Sequence, residues 1–184
     1  MTRLFIAIAI PEAIIEGLAG MGRSIPGARP VASEQMHLTL RFIGEVEGSR
    51  LLDIREALTA IAHPQFILEL QGVGVFPPRG TPRVLWAGIQ PADKLLALRR
   101  AIDQNLVAID IPHEKQKYCP HLTLARLTDP PLHRLQQFLA GNSLLHSPAF
   151  AVTAFSLYKS QLTANGAIHT PVATYALTLP RAED

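Results

Sequence analysis

The sequence has one cysteine, Cys119, among 184 residues. A single thiol cannot close an intramolecular disulfide, and there is no cysteine cluster to hold zinc. A reducing cytoplasm is the expected compartment. Long apolar runs are also missing. The chain starts Met1-Thr2-Arg3 and continues through apolar Leu4 to Ile10, where Pro11-Glu12 ends the run. The A-x-A triplet Ala7-Ile8-Ala9 lies inside that run, so no secretory leader is expected. No stretch approaches the roughly 18 apolar residues of a membrane helix, so no membrane span is expected. Charge is sparse at 17%, without a Lys/Arg-rich run, and the formal net charge is only +2. This balance suits an anionic ligand better than a broad nucleic-acid-binding face. The chain lacks H-E-x-x-H, a paired-carboxylate motif and a P-loop, leaving metal, carboxylate-hydrolase and nucleotide-triphosphate readings without support. Gly72-Val73-Gly74 lacks the rest of a dinucleotide fingerprint and reads as strand-end glycine.

What is present is apolar material in short, patterned pieces. Hydrophobic residues make up 48% of the chain, enough for a sizeable core. The length suits one domain, or two small lobes sharing a core, so the whole chain 1–184 is read as a single bilobal unit. Leu4 to Ala9, Met36 to Ile43, Phe66 to Val75, Arg83 to Ile89, Leu122 to Leu127, Phe150 to Leu157 and Val172 to Leu179 read as strands. Pro11-Glu12 opens a helix. Leu51, Ile54, Leu58 and Ile61 mark a second by their spacing, and Leu95, Leu98, Ile102 and Leu106 a third. Leu132 to Leu139 reads as a short fourth. Strands and helices interleave, which is an α/β mixture.

The chain also repeats itself. His37-Leu38-Thr39-Leu40 recurs as His121-Leu122-Thr123-Leu124, at an offset of 84 residues. Two copies are too few for a solenoid and fit two similar halves facing one another. In a strand, residues two apart share a face. His37 therefore shares a face with Thr39, and His121 with Thr123, while the four leucines point into the lobes. The polar faces can meet across a cleft. Two imidazoles with ordinary pKa values near 6.5 can exchange protons at neutral pH. The threonine hydroxyls can donate to phosphate oxygens as charge builds there. This set can open a cyclic phosphodiester without a metal or other cofactor. The threonines alone would also pass as β-branched strand formers.

These residues carry a resemblance. Two H-x-T-x motifs, one in each half, resemble those that define the two-histidine phosphoesterases. Arg3 to Ile8 (RLFIAI), His37 to Gly44 (HLTLRFIG), Arg83 to Gly88 (RVLWAG), Pro120 to Leu127 (PHLTLARL) and Leu157 to Leu162 with Gly166 extend it along nearly the whole chain. The match is to the bacterial and archaeal RNA 2′,3′-cyclic phosphodiesterases, also called 2′-5′ RNA ligase-like proteins. The resemblance implies an α+β fold of two pseudo-symmetric lobes, each an antiparallel sheet flanked by helices, with the site between them. It implies hydrolysis of 2′,3′-cyclic phosphates at RNA 3′ ends, tRNA fragments included, to 2′-phosphates, with His37 as proton donor and His121 as acceptor. The reverse reaction, 2′-5′ ligation, is also known in the family. A monomer is expected. The sequence departs from the family at His169, where an aromatic often follows the glycine, and in Lys117-Tyr118-Cys119-Pro120.

Other residues fit more than one reading. The family places an arginine near the substrate phosphate after the second motif, which points to Arg126. Strict alternation instead puts Ala125 on the His121 face, unless a bulge intervenes. The same alternation puts Arg41 on the His37 face. Phe42 and Trp86 read first as core aromatics, with base stacking the alternative for Phe42. Cys119 reads as a buried, inert thiol. His63, His113, His133, His146 and His169 read as surface residues. Two rival functions keep the same fold: a phosphodiesterase acting on ADP-ribose 1″,2″-cyclic phosphate or 2′-5′ oligoadenylate, and an RNA-binding module without turnover.

Overall fold

A computed structural model describes residues 1–163 and 166–179. Strand β1 (Thr2–Ala9) comes first, buried from Leu4 through Ile8. Helix α1 (Glu12–Leu18) follows Pro11 and turns Ile14 and Leu18 inward. The chain then makes β2 (Ala28–Pro30), a single 3₁₀ turn (Ser33–Gln35), β3 (His37–Val46) and α2 (Arg50–Thr59). Strands β4 (Phe66–Phe76) and β5 (Val84–Gln90) flank the proline-rich loop, and α3 (Asp93–Val107) leads to β6 (His121–Leu127). Helix α4 (Leu132–Gly141) precedes β7 (Phe150–Val152), β8 (Ala154–Thr163) and β9 (Gly166–Ala176).

The strands form two antiparallel sheets, in the orders β3-β1-β8-β9 and β2-β6-β5-β4-β7. With the four helices of the described residues, this is the α+β architecture that the resemblance implied. Leu95, Leu98, Ile102 and Leu106 are fully buried along α3. Each contributes about 1.5–3 kcal/mol by burial, so α3 docks although no side chain caps its N-terminus. The leucines of both motifs join these residues in one buried apolar cluster.

The 84-residue offset is visible in the elements. Strand β1, α1, β3, α2 and β4 are followed in the same order by β5, α3, β6, α4 and β8. Within each set the first strand pairs with the motif strand, β1 with β3 and β5 with β6. The last strands are exchanged: β4 pairs with β5, and β8 pairs with β1. This exchange corrects one sequence expectation. The stretch from Phe150 to Leu157 is not one strand, because the chain changes sheets at Thr153. Strand β7 stays with β4, while β8 crosses to β1. The three-residue β2 was too short to give a periodic signal.

Candidate active site

The motif strands belong to different sheets, yet β3 and β6 pack side by side. Tyr118, just ahead of β6, donates its hydroxyl hydrogen to the Thr39 carbonyl at 3.0 Å. Arg99 of α3 donates to the Leu40 carbonyl at 3.0 Å. These two donors occupy carbonyls on the free edge of β3, which otherwise would lack partners. Burial pushes the Tyr118 phenol far above its ordinary pKa, so it stays protonated and able to donate.

Alternation holds through each motif and then breaks in the same place. His37, Thr39, His121 and Thr123 are half-buried, while Leu38, Leu40, Leu122 and Leu124 are fully buried. In β3 the register slips at Leu40: Thr39 faces Ala7, but Arg41 faces Ile6. In β6 it slips at Leu124: Thr123 faces Trp86, but Ala125 faces Leu85. Each slip is a bulge that inverts the residues after it. Arg126 thereby rejoins the face of His121 and Thr123, and Phe42 rejoins the face of His37 and Thr39. Arg41 turns the other way. It is 3% exposed and lies 2.7 Å from Asp103 and 3.6 Å from Glu114. Arg99 completes the buried cluster, 2.9 Å from Asp103 and 3.3 Å from Glu114. Arg41 is thus not on the His37 face, as alternation alone suggested.

The His37 wall is aromatic. His37 lies 4.7 Å from the Tyr158 ring, 6.2 Å from Phe5 and 5.7 Å from His169, centroid to centroid. The His121 wall carries Phe76, 5.0 Å from His121 and 5.2 Å from Trp86. Trp86 lies across Gly74; a Cβ there would stand 2.2 Å from its ring, so only glycine fits. Gly72 has φ +69 where β4 slips against β5. These glycines therefore shape the strand beneath the site rather than ending it.

Three buried nitrogens on these faces have no partner among the described residues: His37 Nδ1, His169 Nδ1 and Trp86 Nε1. Such atoms are rare in folded proteins and cluster where ligands act. His121 Nδ1 sits 2.8 Å from the Cys119 carbonyl. Donation there leaves Nε2 as the free, proton-accepting nitrogen. The Gln35 carbonyl, likewise two residues before its histidine, favours the charged form of His37 without well-aligned hydrogen-bond geometry. Burial outweighs both carbonyls and lowers both histidines below 6.5; His169 adds to this at His37, and Arg126 at His121.

Several side chains depart from expectation. Cys119 is exposed, because its carbonyl turns in toward His121 and its thiol turns out. Phe42 is 54% exposed rather than core, a consequence of the Leu40 bulge. Trp86 is half-buried on the His121 wall instead of in the core. His169 is half-buried rather than fully on the surface; β9 places it opposite Ser160 and against Phe5. His63 is also buried, against Phe66. His113 and His133 are exposed as read, and His146 pairs with Glu69 at 3.2 Å. The sequence offered one clue to His169, its place where relatives carry an aromatic.

A hollow of about 340 Å³ opens on the His37 side of the first sheet, over Ala9, Ser156, Tyr158, Pro171 and Thr174. A larger one, about 580 Å³, lies between α2 and β9 and touches none of these site residues. The smaller one borders the His37 wall through the Tyr158 ring that contacts His37, but neither hollow is lined by His37, Thr39, His121 or Thr123. Among the described residues, no three His, Cys, Asp or Glu side chains are grouped to hold a metal ion, and no helix is long and apolar enough to cross a membrane.

Comparison with known proteins places this arrangement. A Thermus thermophilus protein named RNA 2′,3′-cyclic phosphodiesterase is 34% identical over 188 residues, covering 95% of this chain and 90% of its own. The crystal structure of TT0787 from Thermus thermophilus superposes with a TM-score of 0.80 at 28% identity, over 97% of this chain and 100% of that one. Escherichia coli LigT complexed with 3′-AMP superposes with a TM-score of 0.76 at 29% identity, over 96% and 98%. The family model described as 2′-5′ RNA ligase superfamily matches residues 13–164. With both H-x-T-x strands inside that span, the chain belongs to the 2′-5′ RNA ligase superfamily.

Proposed function

We propose that this protein is an RNA 2′,3′-cyclic phosphodiesterase in which His37 and His121 exchange protons with the substrate. Water attacks phosphorus as His121 takes its proton. The bond from phosphorus to the ribose 3′ oxygen breaks, and His37 protonates that oxygen, leaving a 2′-phosphomonoester. Thr39 and Thr123 donate to the non-bridging oxygens, and Arg126 balances their charge. The observation that carries this reading is the doubled one: two half-buried His/Thr pairs on neighbouring strands, each followed by the same bulge. The donor and acceptor roles follow the family. Acceptance at His121 is supported by the Cys119 carbonyl, which leaves Nε2 free. The working unit is the whole chain as one bilobal domain, acting as a cytoplasmic monomer on RNA ends such as tRNA fragments. The strand exchange supports the single unit, since each sheet draws on both halves. Turnover of nucleoside 2′,3′-cyclic phosphate, cyclic-phosphate-ended RNA and ADP-ribose 1″,2″-cyclic phosphate tests the substrate class. Preference for the last would displace RNA as substrate.

Hydrolysis should persist in excess EDTA, because the two imidazoles supply both proton transfers. Activity lost in chelator and restored by a divalent ion would contradict the mechanism.

The pH dependence follows from burial. The reactive free enzyme holds one proton between two histidines, so kcat/KM should be bell-shaped in pH. Below both pKa values the base is occupied; above both, the acid has lost its proton. Both pKa values lie below 6.5, so the optimum of kcat/KM should lie below pH 6.5. A bound phosphate anion favours the charged imidazole, so the kcat profile should sit at higher pH. A kcat/KM optimum above pH 7 would be inconsistent with these environments.

A further inference from the structure

The two walls differ in charge at the positions just after their motifs. Phe42 and Arg126 are equivalent in the repeat, each turned onto its motif's face by the bulge. Arg126 has a companion. In the pairing of β2 with β6, Arg29 stands directly opposite Arg126. Opposite residues of an antiparallel pair share a face, so Arg29 lies on the His121 side. Both are exposed, and among the described residues neither has a carboxylate within ion-pair distance.

Like charges placed opposite one another destabilise a sheet. The molecule shows the ordinary alternative elsewhere: Arg3 of β1 stands opposite Glu45 of β3. A charged residue on the edge strand β2 would also deter unwanted strand pairing. An acidic side chain would do that as well and would relieve the repulsion. Two unneutralised guanidiniums, one strand apart, instead match a run of phosphates. Strands are spaced about 4.8 Å apart, and each guanidinium can fork onto the two free oxygens of a phosphodiester. The register of β6 puts Arg126 on the face of His121 and Thr123. Arg29 stands one strand farther out.

We propose that Arg29, beside Arg126, forms a subsite for the internucleotide phosphodiester preceding the cyclic phosphate, so that the protein favours an RNA chain end over a cyclic mononucleotide. This rests on the RNA-end reading of the site. A cyclic mononucleotide has no such phosphodiester and cannot use Arg29.

Binding of reaction products tests this without turnover. A trinucleotide ending in a 2′-phosphate and a nucleoside 2′-monophosphate would be titrated against wild type, Arg29→Ala and Arg29→Lys. Arg29→Ala should weaken trinucleotide binding about 10-fold and reduce the slope of log K against log salt by roughly 0.7. The loss should be confined to the trinucleotide, and Arg29→Lys should fall between. Equal weakening of both ligands, or an unchanged trinucleotide affinity and salt slope, would overturn the subsite. Circular dichroism verifies folding, and Arg29→Lys keeps the charge should the alanine variant be unstable. A wild type that hydrolyses none of the cyclic phosphates overturns the enzymatic reading; the two titrations still decide the subsite.

Discussion

His37→Ala and His121→Ala should each lower kcat by about 10² to 10⁴-fold, the range that general acid or base catalysis supplies. The two histidines stand on neighbouring strands and have matching surroundings: a carbonyl two residues back, an aromatic neighbour, and a threonine two residues on. One must accept a proton while the other gives one. Either loss breaks the exchange, so the double variant should be only slightly worse than the poorer single. Thr39→Ala and Thr123→Ala should cost less, because water can stand in for a hydroxyl in an open cleft. The comparison requires steady-state kinetics on variants shown by circular dichroism to be folded. Near-wild-type kcat in either folded histidine variant would remove that residue from the mechanism. Multiplicative losses in the double variant would show that the two act separately.

Asp103→Ala should destabilise the fold by about 3–5 kcal/mol, the cost of breaking a buried ion pair by removing one partner. Asp103 answers two arginines at once, Arg41 at 2.7 Å and Arg99 at 2.9 Å. Its contact with Arg41 is an ion pair by distance rather than an aligned hydrogen bond. Among the carboxylates of the described residues Arg41 would keep only Glu114, at 3.6 Å, beside its donations to the Phe42 and Pro112 carbonyls. The damage should reach the site, because Arg99 also holds the Leu40 carbonyl at the bulge beside Thr39. Urea denaturation should show a lower midpoint with little change in slope. A loss under about 1 kcal/mol would mean that Glu114 and solvent compensate, against the burial seen here.

The motifs were legible because their signal was local and doubled. His37 and Thr39 share a face by backbone geometry alone, and the second copy fixed the partner strand. The helices were legible for the same kind of reason: Leu95, Leu98, Ile102 and Leu106 write one face of α3 in their spacing. What alternation could not give was the bulge. One extra residue at Leu40 and another at Leu124 invert the residues that follow, in β3 until a second slip at Ile43. Arg41 thereby becomes an interior ion, Phe42 an exposed aromatic, and Arg126 joins the face of His121 and Thr123. Resemblance had pointed to Arg126 where alternation pointed to Ala125, and the bulge reconciles them. Cys119 was misread because its placement follows from its own carbonyl, which serves His121. His169 was misread as surface because its neighbours, Phe5 and His37, are distant in sequence and meet it only through the first sheet. The division of 150–157 at Thr153 was invisible because both pieces are equally apolar.

The exchanged last strands bear on how the chain is made. A ribosome releases the N-terminus first, so β1 and β3 emerge long before β8, the strand that covers the other edge of β1. Until the final segment appears, β1 presents an apolar strand with an open edge, the kind of surface that invites aggregation or chaperone binding. The second sheet also borrows from the first half, through β4, but its borrowed strand is already synthesised when β5 and β6 arrive. Translation therefore favours assembling the β6-β5-β4 part of the sheet that carries His121 before the sheet that carries His37 is covered by β8. The earlier-made histidine is the later one to be seated.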